Sequence, residues 1–261
     1  MLRNIQVLLL ATLLFVNSSG FSRPLVRAQR FVTLQQGEQY AALDLSYAAQ
    51  ISGDDASLFY VGSGFVHHRR SGLSLGLGIT DQWEVGLSVA PYQYSSKRQT
   101  GFGSFEIYTT FGFLPFLGVE ASFLTAGTDR NNFRNGFRIG LPFKFAVIED
   151  TLAVLFRPDV VFLWREGQED GELLVDTGIV WNMTSFLFAE LYLGADRLLT
   201  GNGIDLRFPA QARKGADLKV PVGLAIGGTI AKHLDIVGAF SLMDPKDSFE
   251  STFTLSIEYR R

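Results

Sequence analysis

Leu73-Ser74-Leu75-Gly76-Leu77-Gly78-Ile79-Thr80-Asp81-Gln82-Trp83-Glu84-Val85-Gly86-Leu87-Ser88-Val89 is the stretch that decides the fold. Apolar side chains take every second position from Leu73 to Ile79, serine or glycine fills the positions between, and the alternation resumes from Trp83 to Val89. A period of two puts the two sets on opposite faces of a strand. Thr80, Asp81 and Gln82 reverse the chain. A slip of one residue would turn every apolar side chain to the wrong face, so the pattern itself sets the hairpin's register.

The same alternation extends in both directions from this hairpin. Upstream, residues 38–51 set Leu43, Leu45, Tyr47, Ala49 and Ile51 against Asp44, Ser46, Ala48 and Gln50. Downstream, further hairpins are predicted at 102–113/116–124, 134–148/151–164, 171–181/185–196 and 216–230/234–243, with a last strand at 249–260. With the strand over 65–79, these make twelve antiparallel strands. Residues 58–64 are apolar enough to add one, and Pro142 and Pro221 can interrupt one, so the count holds to within two. Pro142 removes a ladder donor in mid-strand and predicts a bulge or a register change there.

Five connections of two or three residues fall on the side of the termini, and longer polar ones fall opposite. An even strand count, short turns at one end and longer loops at the other describe an up-and-down transmembrane β-barrel of the bacterial outer membrane. The 23 phenylalanines and 27 glycines suit it, aromatics favouring strands and glycine serving turns and crowded interiors. A soluble barrel also alternates, but turns its apolar face inward. Trp83 and Trp181 beside the short turns, and Trp164 at the far end of its strand, fit aromatic girdles at the two membrane interfaces. The bland alternative is that large residues gather at strand ends, and three tryptophans weigh little against it.

Residues 1–28 read as an export signal: Arg3 supplies the positive start, and residues 7–16 form an apolar run too short to anchor in a bilayer. Cleavage after Ala28 is expected, with Gly20 as an earlier alternative, leaving 29–261 as the barrel. Losing Arg3, Arg23 and Arg27 makes the formal net charge of −3 more negative still, the wrong balance for a nucleic-acid binder. No cysteine is present, which excludes a lipidated amino terminus, a disulfide or a thiolate metal site.

On the face opposite the lipid, Glu120, Lys144, Arg157, Asp176 and Glu190 all fall a similar distance above the short turns on five successive strands. The expected pairs are Glu120 with Lys144 and Arg157 with Asp176. Such a belt either sets charge preference in a channel or fills a closed interior with salt bridges. His67, His68, Arg69, Arg70 and Ser71 are the one candidate catalytic cluster. An outer-membrane phospholipase needs histidine and serine two residues apart; here they stand three and four apart, out of contact along a strand, so a basic rim is expected and no enzyme. No cofactor is expected, and the acidic residues and histidines lack metal-ligand spacing. Glycines at 62, 64, 72, 201 and 203 do not join a strand to a helix and carry no phosphate loop.

The run from Gly78 to Leu87 resembles a recurrent unit, glycine–apolar–Thr–Asp–x–x–Glu–apolar–Gly–Leu, of the outer-membrane barrel family of phenol meta-pathway transporters. That resemblance implies an outer-membrane barrel that passes small molecules, aromatic or otherwise apolar ones among them. It covers this one hairpin. The carboxyl end departs from the usual barrel ending on phenylalanine, since Tyr259 is followed by Arg260 and Arg261. The expected partners are outer-membrane lipid, the barrel-insertion machinery and small solutes, and no nucleic acid. The rival functional expectation is a structural or adhesive barrel with a blocked lumen and partner-binding outer loops; a lipid hydrolase comes third.

Overall fold

The structure is a computed structural model and describes residues 32–49, 58–61, 73–89, 92–95, 104–127, 133–165, 168–200, 218, 220–231, 233–244 and 248–261. The expected export signal and the cluster from His67 to Ser71 lie outside the described residues. Among the described residues, fifteen strands form one antiparallel sheet: β1 (Gln39–Ala49), β2 (Leu58–Val61), β3 (Leu73–Thr80), β4 (Trp83–Val89), β5 (Tyr92–Ser95), β6 (Ser104–Leu114), β7 (Leu117–Gly127), β8 (Phe133–Gly140), β9 (Phe143–Ile148), β10 (Leu152–Arg165), β11 (Gln168–Asn182), β12 (Leu187–Thr200), β13 (Val222–Ala231), β14 (Leu234–Asp244) and β15 (Ser248–Arg260).

These fifteen fill twelve positions around a closed ring. β2 and β3 both lie along β1, at opposite ends of it, and β4 and β5 repeat the arrangement against β3 and β2. β8 and β9 likewise share one position between β7 and β10. Each pair is therefore a single interrupted stave. Ten residue pairs, from Tyr40↔Arg260 to Ala49↔Ser251, join the last strand to the first. That seam pairs the first strand with the last, as hydrocarbon demands, where each unpaired amide or carbonyl costs several kcal/mol.

The hairpin at Leu73 to Val89 pairs as its pattern requires, Leu75 opposite Leu87 and Gly78 opposite Glu84. Residues 58–61, the candidate extra strand, extend a stave already present. The expected bulge at Pro142 does not occur. Glu120↔Gly140 and Leu117↔Phe143 on one side, and Asp159↔Gly140 and Phe156↔Phe143 on the other, keep one register through the break. Leu141 N still donates to Pro158 O at 3.0 Å, and Gly118 N to Pro142 O at 3.0 Å. Each proline thus forfeits its own donor while its carbonyl keeps the other bond of the pair. Loss of one bond interrupts the strand without shifting it.

The five short reversals lie at one end. At Glu149 and Asp150 the turn needs Asp150 at φ 63, a left-handed conformation that aspartate tolerates better than most residues. The connection expected to be long after Trp164 shrinks to residues 166–167, because β10 and β11 extend past their expected ends.

Burial follows the alternation with the sense a membrane demands. Along β15, Thr252, Thr254, Ser256 and Glu258 are buried while Phe253, Leu255 and Ile257 are exposed. On β13, Ile226 is 56% exposed beside Ala225 at 0%. On every stave with described side chains the outward face is mainly apolar and most polar side chains point in, the reverse of a soluble barrel.

Candidate functional site: the charged inner wall

Inward carboxylates on β4, β6 and β7 are each met by a neighbouring stave. Tyr108 donates to Glu84 Oε1 at 2.9 Å, Ser122 donates to Glu106, and Thr110 donates to Glu120 Oε2 at 3.0 Å. Two arginines bind this row together. Arg138 Nη1 lies 3.7 Å from Glu106 Oε1. Arg157 Nη2 reaches Glu120 Oε1 at 2.5 Å, while its Nε donates to both oxygens of Asp159 at 3.0 and 2.9 Å. Arg157, Glu120 and Asp159 are all buried. A buried arginine between two carboxylates offsets part of the cost of taking all three charges out of water.

Gly140 makes this grouping possible. It stands in register between Glu120 on β7 and Asp159 on β10, and a Cβ there would lie 2.0 Å from Asp159 Oδ1. With no side chain in the way, Arg157 reaches over a whole stave to Glu120. Lys144, the partner expected for Glu120, is not the residue in register with it. The position facing Glu120 on the next stave is Gly140, and Lys144 stands four residues nearer the turn, in register with Leu155. Arg157 and Asp176 do face one another across the β10–β11 ladder. Glu190, fully buried, accepts from the Tyr192 hydroxyl. Asp159 joins the group because it shares a face with Arg157 two residues along β10, a neighbour that one charge per strand does not reveal.

The opposite wall closes through shorter links. Ser46 and Thr254 hydrogen-bond at 2.8 Å, Ser256 donates to Asp44, and Arg260 pairs with Glu38. Not all of the inner face is polar. Phe188, Tyr192, Ala225, Val237 and Ala239 form one buried apolar patch, and Leu124, Val161, Leu163 and Leu174 another. A rule that sends only hydrophilic residues inward misses both.

A further inward feature has no strand pattern at all. Residues 32–37 run along the inner surface at the short-turn end. Val32 N donates to Pro115 O at 3.1 Å, Thr33 Oγ1 to Asp81 O at 3.3 Å, Leu34 N to Glu84 Oε2 at 2.8 Å and Gln36 N to Asp81 Oδ1 at 3.0 Å. A tight turn, Glu38 N to Gln35 O at 2.9 Å, then delivers the chain into β1, with Gly37 at φ 76 as a type II turn requires. Inward glycines at the rim were the available signal.

The three tryptophans all point outward. Trp83 Nε1 donates to Thr109 Oγ1 at 2.6 Å. Trp181 faces Leu152 in register and Trp164 stands at the far end of β10, packed against Phe137 at 5.9 Å between ring centroids. Twelve residues of strand separate the two levels, about 40 Å along the strand and about 30 Å along the axis at a tilt of about 40°. That is the height of an apolar band with its interfaces.

A closed antiparallel ring with an apolar exterior, a polar and charged interior and its short turns at one end defines an outer-membrane β-barrel. No family model matches the sequence, and no curated protein matches it. Among solved structures, the fold is similar to an outer membrane channel from Pseudomonas putida F1, with TM-score 0.56 at 10% identity, covering 94% of this chain and 99% of that one. The translocator domain of the autotransporter NalP from Neisseria meningitidis gives 0.48 at 10% identity over 99% of this chain and 94% of that one. A KdgM porin gives 0.46 at 10% identity over 84% and 98%. At 10% identity, what the Pseudomonas putida channel shares with this chain is the architecture.

Proposed function

We propose that the chain is a passive channel or transporter for small solutes, exported by residues 1–28 and embedded as a barrel in outer-membrane lipid by the barrel-insertion machinery. The observation that carries this reading is the inner wall. Charged and hydroxyl side chains from both halves of the ring face the axis, while the exterior is apolar. The shared architecture with an outer membrane channel supports it. The resemblance of the Gly78 to Leu87 hairpin points to solutes with an apolar or aromatic part.

In this reading Glu120, Lys144, Arg157, Asp176 and Glu190, with Asp159 added, set the charge preference of the pathway. Conductance in planar bilayers after Arg157→Ala and Lys144→Ala tests that role, and an unchanged ion preference removes it. Liposome swelling with graded solutes tests the channel itself. The rival is a barrel with a filled lumen whose outer loops bind a partner, and the burial of Arg157 between its carboxylates favours it. A folded, heat-modifiable protein that admits no solute decides for the rival. Catalysis has no part in the proposal; lipid hydrolysis abolished by Ser71→Ala would reverse that.

A further inference from the structure

The segment 32–37 adds a second layer of backbone inside the wall at the short-turn mouth. Its hydrogen bonds run from the β6–β7 turn at Pro115, past the β3–β4 turn at Asp81 and the carboxylate of Glu84, to Gly78 on β3. Four glycines on the inner face make room for it. A Cβ at Gly78 would lie 1.8 Å from Gln35 O, one at Gly76 3.1 Å from Leu34 Cδ1, one at Gly112 3.3 Å from Thr33 Cγ2, and one at Gly118 3.2 Å from Val32 Cγ1. Leu34 is 1% exposed, although it belongs to no strand. Side chains at these four positions would otherwise line the mouth, so the wall is built to receive this segment and not solvent.

We propose that residues 32–37 are a built-in constriction of the pathway and that they, more than the charged belt, set the size limit for solutes. The inference rests on the channel reading. A layer of backbone laid on the inner face narrows the mouth wherever it lies. The segment also occupies Glu84, whose two oxygens accept from Leu34 N and from Tyr108, so that this carboxylate is withheld from passing solutes.

Two substitutions release the segment by different physics. Gly78→Val places side-chain atoms where Gln35 O lies. Gly37→Val meets nothing within 4 Å and acts only by forbidding φ 76 to the turn. The chain has no cysteine, so Leu34→Cys is a unique reporter for a membrane-impermeant maleimide. The assay is liposome swelling with neutral saccharides of increasing size, on wild type and both variants, each checked for heat-modifiable mobility. Both variants are expected to admit saccharides that wild type refuses. In either variant, labelling of Leu34→Cys is expected to rise at least about tenfold, as the open population grows. Uptake in the variants but not in wild type also upholds the constriction, and shows a resting mouth that is shut. One size limit shared by all three folded proteins, or Leu34→Cys labelled equally fast in the wild-type background, overturns the constriction and leaves the channel standing. No uptake in any of the three overturns both.

Discussion

Arg157→Met removes the cation that bridges Glu120 and Asp159, and its cost follows from their surroundings. At an effective dielectric of about 20 and about 4 Å between charges, each carboxylate gains about 4 kcal/mol of gross attraction from the guanidinium. Glu120 is 4% exposed and Asp159 3%, so water cannot replace that attraction. Breaking a buried pair by removing one partner costs about 3–5 kcal/mol. The expected loss for Arg157→Met is in that range, read from urea titration of folding into phosphatidylcholine vesicles. Arg157→Met combined with Glu120→Gln and Asp159→Asn removes all three charges and keeps the volumes. It should recover most of the loss, to within about 1–2 kcal/mol of wild type, since the penalty lies in the uncompensated carboxylates. A loss below about 1 kcal/mol for Arg157→Met, the value of a solvated surface pair, would refute the reasoning. So would a triple variant no better than the single one.

Gly140→Ala should cost about 1–3 kcal/mol in the same titration, because its Cβ would lie 2.0 Å from Asp159 Oδ1. Gly238→Ala, with nothing within 4 Å of its Cβ, is the neutral control. Ile226→Arg puts a charge on the lipid face and should lose about 2–4 kcal/mol if the residue lies near the bilayer midplane; a neutral outcome would argue that this surface meets water. Pro142→Ala restores the donor opposite Gly118 and should gain about 0.5–1.5 kcal/mol, with a newly protected amide at 142 in hydrogen exchange.

The staves were legible wherever one face met lipid and the other the lumen, because that contrast writes a period of two into the residues. β15 and the β3–β4 hairpin are its clearest cases. Pro142 misled because a missing donor signals local damage to a ladder, while the register is held by the intact pairs above and below it. The reach of Arg157 to Glu120 was illegible for a different reason. Adjacent-strand pairing gives the neighbour of a side chain only when that side chain is short, and an arginine beside glycine reaches one stave further. Residues 32–37 lay beyond pattern altogether, since they pair with turns and side chains in place of a ladder. Gly76, Gly78, Gly112 and Gly118 record that contact, but glycines on an inner face have many causes until something is seen above them.

The seam between β1 and β15 differs from the others in one respect. Ser46 and Thr254, Asp44 and Ser256, and Glu38 and Arg260 stand 208, 212 and 222 residues apart, whereas the five short-turn hairpins pair near neighbours. Loop-closure entropy grows with the logarithm of length, and joining these ends costs about 4 kcal/mol more than forming a three-residue hairpin. Hairpins therefore assemble first and the ring shuts last. Until it shuts, two strand edges have no ladder, so the final zippering and entry into lipid become one cooperative event, and damage confined to β1 or β15 would stall assembly and not merely weaken the finished protein.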